Sequence, residues 1–339
     1  MMTRIVVIIV SIICGSALAK GLNSSPNSGL YPSGQGGMPV VVPAPAPALA
    51  AGYTLNTFST QSNFNASGIV DMAATNVAGF QWYIWKFFGS TQSATPITLN
   101  SDGTVTISNG IGYNGTLAST VPIETSPYFH GVAFGGGGYF EAELGFDAAN
   151  VVFAAGWPAW WTMSNEHLIG DYDDAWTGQP AGYTHFIEPD IFEYDIKANS
   201  GIYGSATHEY WGVYNITCTS FCSQYELVTA SPGRRPSIFS MFFPPVVNFS
   251  LYHKYGMLWI PATGTTSGSL TFYFDGISMG SLSYTRFTTQ SPPPTGQPWA
   301  YGIIDNHHLT LILGNDSAAR MQIRSVNVWQ ATSANNVTN

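Results

Sequence analysis

Charged residues are scarce in this chain. Asp, Glu, Lys and Arg make up 9% of its 339 residues, and only 10 of them are Lys or Arg. The basic residues are scattered, so the chain has no basic patch of the kind that binds nucleic acid. The formal net charge of −9 and the aromatic content of 14% instead favour a neutral polymer as the partner. We therefore expect no nucleic-acid function.

Long apolar runs are missing beyond the first twenty residues. Arg4, the apolar stretch 5–14 and the small residues Ala17-Leu18-Ala19 predict a secretory signal peptide over residues 1–19. That stretch is too short to span a bilayer. We expect a monomer without a membrane anchor, located outside the cell or in the cell wall. No internal repeat of about 20–50 residues is present, which excludes solenoids and propellers.

Cysteine is nearly absent, with three residues in the whole chain. Cys14 lies in the predicted signal peptide, which leaves Cys218 and Cys222, four positions apart. In an oxidising compartment these two are expected to form a local disulfide. A metal site would need more nearby ligands, so we expect no metal and no cofactor. Asn-x-Ser/Thr sequons predict glycosylated surface loops at Asn23, Asn65, Asn114, Asn215, Asn248, Asn315 and Asn336.

The composition divides the chain into four parts. Residues 20–50 are rich in Gly, Ser, Pro and Ala, which predicts a disordered leader after the signal peptide. Residues 51–332 are long enough for one large all-β domain. Residues 333–339 are expected to be a C-terminal tail.

Helical periodicity is almost absent, and short strand patterns recur between turn residues. Residues 97–100 and 104–107 flank Ser101-Asp102-Gly103, and residues 269–274 precede Asp275-Gly276. Both arrangements predict β-hairpins. Many short strands of this kind predict a two-sheet β-sandwich of the jelly-roll type with a concave substrate cleft.

The densest acidic cluster is Glu188-Pro189-Asp190-Ile191-Phe192-Glu193, flanked by strand-forming residues. Alternate side chains of a strand share a face, so Glu188 and Asp190 are expected to point the same way. A regular strand would turn Glu193 to the opposite face. One extra residue, a β-bulge, would return it to the first face. The spacing thus predicts three carboxylates in a row on one open face, and the jelly-roll fold would place this strand at the centre of its concave face.

Such a row suits glycoside hydrolysis. Retaining glycosidases use two carboxyl groups about 5–5.5 Å apart, one as nucleophile and one as acid/base. Crowded carboxylates do not all ionise freely, so the pKa of one of them rises, as a general acid requires. Calcium is the alternative ligand for such a cluster, but it favours flexible loops over strands.

This acidic segment resembles the active-site strand of glycoside hydrolase family 16, a family with the concanavalin A-like fold. The resemblance implies that Glu188 is the nucleophile, Asp190 the assisting carboxylate and Glu193 the acid/base. Further matches in the expected order are residues 139–142, 157–161, 207–211, 252–259, 272–276 and 321–330. Together they cover about residues 130–330.

The resemblance also implies sugar-binding residues. Sugar rings stack their C–H faces on aromatic side chains, and the matched segments indicate Trp157, Trp161, Trp211 and His208 for this role. Trp176, on a Gly/Asp-rich loop, is a candidate wall of the cleft. Core packing is the alternative for each Trp, and a packing role is the alternative for the His.

The resulting hypothesis is a secreted, retaining hydrolase of β-glucan with β-1,3 or mixed β-1,3/1,4 linkages, active in cell-wall polysaccharide metabolism. A transglycosylase on the same scaffold is one alternative. A lectin-like wall protein with weak catalysis is the other, and Pro189 motivates it, because the resembled family has a branched apolar residue there. Proline cannot donate to a strand ladder and is usual only at edges or bulges. Its nitrogen must face away from a neighbouring strand, or the local geometry must change.

Overall fold

The computed structural model describes residues 42–85, 92–108, 115–152, 156–170, 183–197, 202–213, 247–286 and 300–339. Helices are few and short in these residues. They are α1 (Ala46–Ala50), α2 (Asn165–Ile169) and the 3-10 helices Ala148–Asn150 and Ala300–Asn306. The first strands are β1 (Thr54–Leu55), β2 (Thr60–Gln61), β3 (Val70–Asp71), β4 (Trp82–Ile84), β5 (Ile97–Leu99), β6 (Val105–Ile107), β7 (Thr116–Ala118), β8 (Thr120–Pro122) and β9 (Phe129–Ala133). The later strands are β10 (Gly138–Phe146), β11 (Pro158–Ser164), β12 (Tyr183–Lys197), β13 (Ile202–Val213), β14 (His253–Ile260), β15 (Gly268–Phe274), β16 (Ile277–Tyr284), β17 (Leu309–Asn315), β18 (Met321–Gln330) and β19 (Val337–Thr338).

Two large sheets form a β-sandwich, as the sequence predicted. The front sheet has the strand order β13-β12-β11-β17-β7-β4-β3. The back sheet has the order β16-β15-β14-β10-β18-β6-β5, with β1 and β2 paired to β18. Apolar residues of both sheets, such as Trp160 and Phe192 in front and Phe140 and Trp259 at the back, belong to one buried core cluster. This jelly-roll arrangement confirms the predicted fold class.

Both predicted hairpins are confirmed. β5 pairs with β6 across the predicted turn, and β15 pairs with β16 across Asp275-Gly276. Asp275 and Gly276 have φ values of 47° and 78°, the left-handed conformation that such a turn requires. The segments 252–259 and 272–276 supply the paired strands β14 and β15, and the predicted closing strand is β18.

The acidic strand is not central among the described strands of the front sheet. β12 is second in the strand order, between β13 and β11. The prediction placed it at the centre of the concave face that a jelly roll offers to an extended chain. The acidic motif itself requires only a neighbouring strand on each side, and β11 and β13 provide these neighbours.

Both ends of the predicted domain extend further than the sequence indicated. The predicted disordered leader reached residue 50, but Ala46–Ala50 is helical and Ala48 is fully buried with Tyr53, Tyr139 and Trp329 on the outer face of the back sheet. Alanine is the strongest helix former, and the proline near the helix start fits the first turn. The predicted tail contains β19, which pairs with β9. Residues 1–41 lie outside the described residues.

The sequons divide into exposed and buried positions. Asn65 and Asn248 are exposed, whereas Asn315 is 1% and Asn336 is 8% exposed. Asn315 ends β17, and its side-chain amide donates to the carbonyls of Ile107 and Ala319. The expectation that every sequon lies on a surface loop was therefore wrong for these two. The other sequons lie outside the described residues. No helix within the described ranges is long and apolar enough to cross a membrane.

Candidate active site

A one-residue bulge interrupts β12 inside the acidic motif. Asp190 lies opposite Ala206 of β13, and Glu193 lies opposite Gly204. The three steps from 190 to 193 on β12 match the two steps from 206 to 204 on β13, so β12 has one residue more. The ladder with β11 shows the same shift, because Trp160 lies opposite Phe192 and Trp161 opposite Asp190. The predicted bulge is confirmed.

The bulge follows from two consecutive apolar residues. Ile191 is 1% exposed and Phe192 is 0% exposed, and both belong to the core between the sheets. A regular strand would bury only one of them. The extra residue lets both enter the core and turns Glu193 back to the face of Asp190.

A second apolar cluster defines the outer face of the front sheet. It contains Phe186, Trp161 and Ile312, with Trp157 and Trp85 packed against it. Ile187, the neighbour of Phe186, belongs to the core on the opposite side. Glu188 and Asp190 therefore share the outer face with Phe186 and Trp161, because alternate residues of a strand point the same way.

Pro189 is accommodated by side-chain hydroxyls of β11. Thr162 Oγ1 donates to the Pro189 carbonyl at 3.1 Å. Two residues earlier, Ser164 Oγ accepts from the Ile187 N–H at 3.1 Å and lies 3.2 Å from the Ile187 carbonyl. The N–H and C=O of one strand residue point to the same neighbour, so the proline nitrogen faces β11. The β11–β12 ladder ends at Asp190, and the hydroxyls of β11 take its place beyond that point.

Asp190 and His208 form a close pair on the outer face. Asp190 is 2% exposed, and its Oδ2 lies 3.1 Å from His208 Nε2. His208 lies directly opposite Glu188 across the β12–β13 ladder. The imidazole thus stands beside the predicted nucleophile and contacts the predicted assisting carboxylate. A carboxylate that is this buried needs such a partner, because desolvation disfavours its charge.

Glu193 is held by Trp157. The indole Nε1 donates to Glu193 Oε1 at 3.1 Å. Trp157 immediately precedes β11, and the next residue but one, Ala159, lies opposite Glu193. The small Ala159 side chain leaves the Glu193 carboxyl group beside the indole. The structure thus gives Trp157 a contact with the acidic row itself, which the sequence had indicated only as a sugar-binding residue.

The predicted site residues are brought together only in part. Glu188, Asp190, Glu193, His208, Trp157 and Trp161 lie on or beside one face of β11, β12 and β13. Trp211 lies on β13 opposite His185, where the backbone alone is described. Trp176, Cys218 and Cys222 lie outside the described residues, so their roles stay predictions. Trp160 is fully buried in the core.

Sequence reasoning missed two features near the site. Trp85, like Trp157, packs against the outer-face cluster, and the sequence indicated it only by its position directly after the strand β4. The second feature is a buried pair on the core side of the same strands. His185 Nε2 lies 2.8 Å from Glu209 Oε1, and both side chains are fully buried. The sequence placed both residues in matched strands without giving them a function.

One group of side chains has a spacing that a cation could use. Carboxylate oxygens of Asp190 and Glu193 and a ring nitrogen of His208 lie within 4.8 Å of one another. These are ligand types that divalent metals accept. Apposed catalytic carboxylates give the same spacing, so the distances alone do not identify a metal centre. The expectation of no metal stays a prediction.

Comparison with known proteins gives matches in structure only. No protein-family model matches the chain, and no curated protein matches it in sequence. Among solved structures, it is similar to the endo-1,3-beta-glucanase from Streptomyces sioyaensis, at 16% identity and a TM-score of 0.45 over 88% of this chain and 100% of that one. It is also similar to the kappa-carrageenase from Pseudoalteromonas carrageenovora, at 15% identity and a TM-score of 0.41 over 86% and 97% of the two chains.

Lectin-like domains match as well. The legume lectin-like domain from Entamoeba histolytica has 8% identity and a TM-score of 0.37 over 70% of this chain and 87% of that one. Because these identities and TM-scores are low, the function proposed below rests on the geometry of this chain's own carboxylates.

Proposed function

We propose that the protein is a secreted glycoside hydrolase that cleaves β-glucan with retention of anomeric configuration. The observation that carries this proposal is the bulge between Asp190 and Glu193. It returns Glu193 to the face of Asp190 and Glu188, although Glu193 follows them by three and five positions and a regular strand would place it on the opposite face. Two carboxyl groups on one face are the minimum that a double displacement requires.

The three carboxyl groups have distinct roles in this proposal. Glu188 attacks the anomeric carbon, while Glu193 protonates the oxygen of the departing sugar. The glycosyl ester on Glu188 is then opened by water, from which Glu193 takes a proton. Asp190, between them and bound by His208, supports the charge changes of Glu188. Electrostatic support from a fixed neighbour is stronger in a partly buried site than in water.

The surroundings favour a neutral sugar chain as substrate. Trp157, Trp161 and Trp85 belong to or pack on the apolar cluster of the same face. Aromatic rings bind the C–H faces of sugars without needing charge. A β-1,3 or mixed β-1,3/1,4 glucan is the substrate that the sequence resemblance favours. The predicted signal peptide would bring the protein to such a polymer outside the cell.

Product analysis tests the proposal. The purified protein is incubated with laminarin, barley mixed-linkage glucan and xyloglucan, each beside the Glu188→Gln variant. We expect shorter oligosaccharides from the wild type only, with the linkage set by the substrate that is cleaved. An unchanged rate in Glu188→Gln would contradict the role of the nucleophile.

The same experiment separates the two alternatives. Products longer than an oligosaccharide donor would indicate transglycosylation, in which a sugar hydroxyl replaces water. Intact binding with no product from any glucan would indicate a lectin-like protein. Pro189, which motivated that last alternative, is accommodated by Thr162 and Ser164, and this accommodation supports an intact acidic strand.

A further inference from the structure

Trp157 is always the donor in its hydrogen bond with Glu193. An indole N–H donates and never accepts. Glu193 Oε1 receives this bond at 3.1 Å, so Oε1 must offer a lone pair toward the indole. This requirement holds whether Glu193 is a carboxylate or a carboxylic acid. A proton on Glu193 is therefore favoured on the other oxygen, Oε2.

We propose that Trp157 is a positioning residue that keeps the exchangeable proton of Glu193 on Oε2, directed at the substrate. This inference rests on the proposed function, because it matters only if Glu193 is the acid/base. It assigns Trp157 a task that differs from stacking against a sugar ring. The indole would act through Glu193 rather than through the substrate.

The neighbours of Glu193 explain why such a device is needed. An Asp190 oxygen and a His208 ring nitrogen lie within 4.8 Å of the Glu193 carboxyl group. A protonated Glu193 that is free to rotate could turn its O–H toward Asp190, which is a strong acceptor. The proton would then be withheld from the glycosidic oxygen. A bond from Trp157 to Oε1 opposes that rotation.

The indole is well placed to remain fixed. Trp157 directly precedes β11, whose residue Ala159 lies opposite Glu193. Its ring packs against the outer-face cluster that contains Trp161 and Phe186. A ring with this packing loses few rotamers when it forms the bond, so the contact requires little ordering.

The same oxygen of Glu193 transfers the proton in both steps of the double displacement. In the first step the Oε2 proton passes to the glycosidic oxygen, the bond from that oxygen to the anomeric carbon breaks, and Glu188 forms an ester with that carbon. In the second step water gives a proton to Oε2 and its hydroxyl to the anomeric carbon, and the ester breaks. Glu193 begins and ends protonated on the same oxygen, so the indole contact persists throughout.

The bond also influences the pH range of activity. A donor to a carboxylate stabilises the charged form and thereby lowers the pKa of the acid. Removing the N–H should raise the pKa of Glu193, so the alkaline limb of kcat/KM should move to higher pH. A residue that only stacks on sugar would change KM and leave this limb in place.

The test is Trp157→Phe, which keeps an aromatic ring and removes the donor. We expect kcat/KM on glucan to fall about tenfold, a fraction of what general acid catalysis supplies, and the alkaline limb to move up by about one pH unit. Hydrolysis of an aryl glycoside with a good leaving group, which needs little protonation, should fall much less. Trp157→Leu, which also lacks a side-chain donor, serves as the second variant if the first folds poorly, and the same differences are expected in direction.

Trp160→Phe is the matched control. Trp160 belongs to the same strand region but is fully buried in the core, and its Nε1 has no hydrogen-bond partner among the described residues. Its pH profile should be that of the wild type. A wild-type alkaline limb in Trp157→Phe, with equal losses on glucan and on the aryl glycoside, would overturn the inference.

Glu193→Gln separates this inference from the proposed function. If Glu193→Gln still cleaves glucan at the wild-type rate, the proposed function fails and Trp157 has nothing to position. If Glu193→Gln is inactive on glucan while Trp157→Phe keeps the wild-type pH profile, the proposed function stands and the positioning role fails.

Discussion

The front and back sheets both carry carboxylates beside a one-residue bulge, but the two bulges have opposite electrostatic effects. In the back sheet, Glu143 lies opposite Ser325 and Leu144 opposite Ile323, so Arg324 is the extra residue. Arg324 Nη1 donates to Glu143 Oε1 at 2.8 Å. In the front sheet, the extra residue returns Glu193 to the face of Asp190. One bulge supplies a cation to a carboxylate, and the other adds a carboxylate to carboxylates.

The partners of the acids differ in the same way. Glu141 of the back sheet lies 3.5 Å from Lys254 and accepts a bond from Tyr139. The front acids contact Trp157 and His208 through neutral donors or a titratable ring. A nearby cation favours the charged form of a carboxyl group, and this makes the group a poorer proton donor. Acids that are held by neutral donors keep the freedom to exchange protons, which proton transfer requires.

Replacing carboxylates one at a time gives the largest expected effect. Glu193→Gln should lower glucan hydrolysis by about 10²–10⁴-fold, the usual contribution of a general acid. Glu143→Gln removes a similar side chain beside the other bulge and should leave the rate unchanged. Rates on the substrate that the wild type cleaves provide the measurement. Equal losses in the two variants would mean that the front row has no special role.

The two bulge residues should differ strongly in their contribution to stability. Ile191→Ala opens a cavity in the core, where Ile191 is 1% exposed, and should cost about 2–5 kcal/mol of unfolding free energy. Arg324→Ala removes an ion pair whose arginine side chain is 44% exposed, and should cost about 1 kcal/mol or less. Urea unfolding of both variants provides the comparison. A larger loss in Arg324→Ala would show that the back bulge depends on its ion pair.

The sequence predicted the front bulge because its cause is local. Glu188, Asp190 and Glu193 can share a face only if one extra residue intervenes, and Ile191-Phe192 demands the same shift from the core side. The accommodation of Pro189 could not be predicted in this way. It depends on Thr162 and Ser164, which precede their partners on β12 by 27 and 23 residues. The register that places Thr162 and Ser164 opposite these residues of β12 depends on how all strands of the sheet pair.

The ends of the domain were misjudged for a related reason. Residues 42–50 look like a leader by composition, since they contain mostly Ala and Pro. Their order comes from burial of Ala48 against Tyr139 and Trp329 of the back sheet, which lie far away in sequence. Composition indicates whether a segment has enough apolar residues to form a core by itself. It does not indicate whether another part of the chain has an apolar surface on which the segment can pack.

A buried threonine hydroxyl of β11 and an exposed one of β15 allow a comparison with a smaller expected effect. Thr162→Val removes the hydroxyl that donates to the buried Pro189 carbonyl and should cost about 1–3 kcal/mol. Thr271→Val in β15 removes a bond to Ser281 at an exposed position and should stay within about 0.5 kcal/mol. Both free energies come from urea unfolding. Equal, small losses would show that Pro189 needs no hydroxyl partner.

The pH dependence of stability should have opposite signs at two buried groups. Burial, followed by the nearby His307, lowers the pKa of His167 to about 3. Below its ordinary pKa of 6.5 the unfolded chain binds a proton that the folded protein does not, so stability falls as the pH falls from about 6.5 toward 3. At Glu141, burial raises the pKa despite Lys254. There the folded protein binds the extra proton, so stability falls as the pH rises above the ordinary pKa of 4.5 toward the raised value.

Substitution separates the two contributions. His167→Phe preserves an aromatic ring against Phe186, with which His167 stacks at 3.6 Å, and removes the titration. Between pH 6.5 and 5.5 this variant should lose less stability than the wild type, by up to about 1.4 kcal/mol. Glu141→Gln should change the slope in the other direction, and urea unfolding at each pH measures both. A wild-type slope in His167→Phe would mean that His167 is protonated in the folded protein, and the two buried groups would then not have opposite effects on the pH dependence of stability.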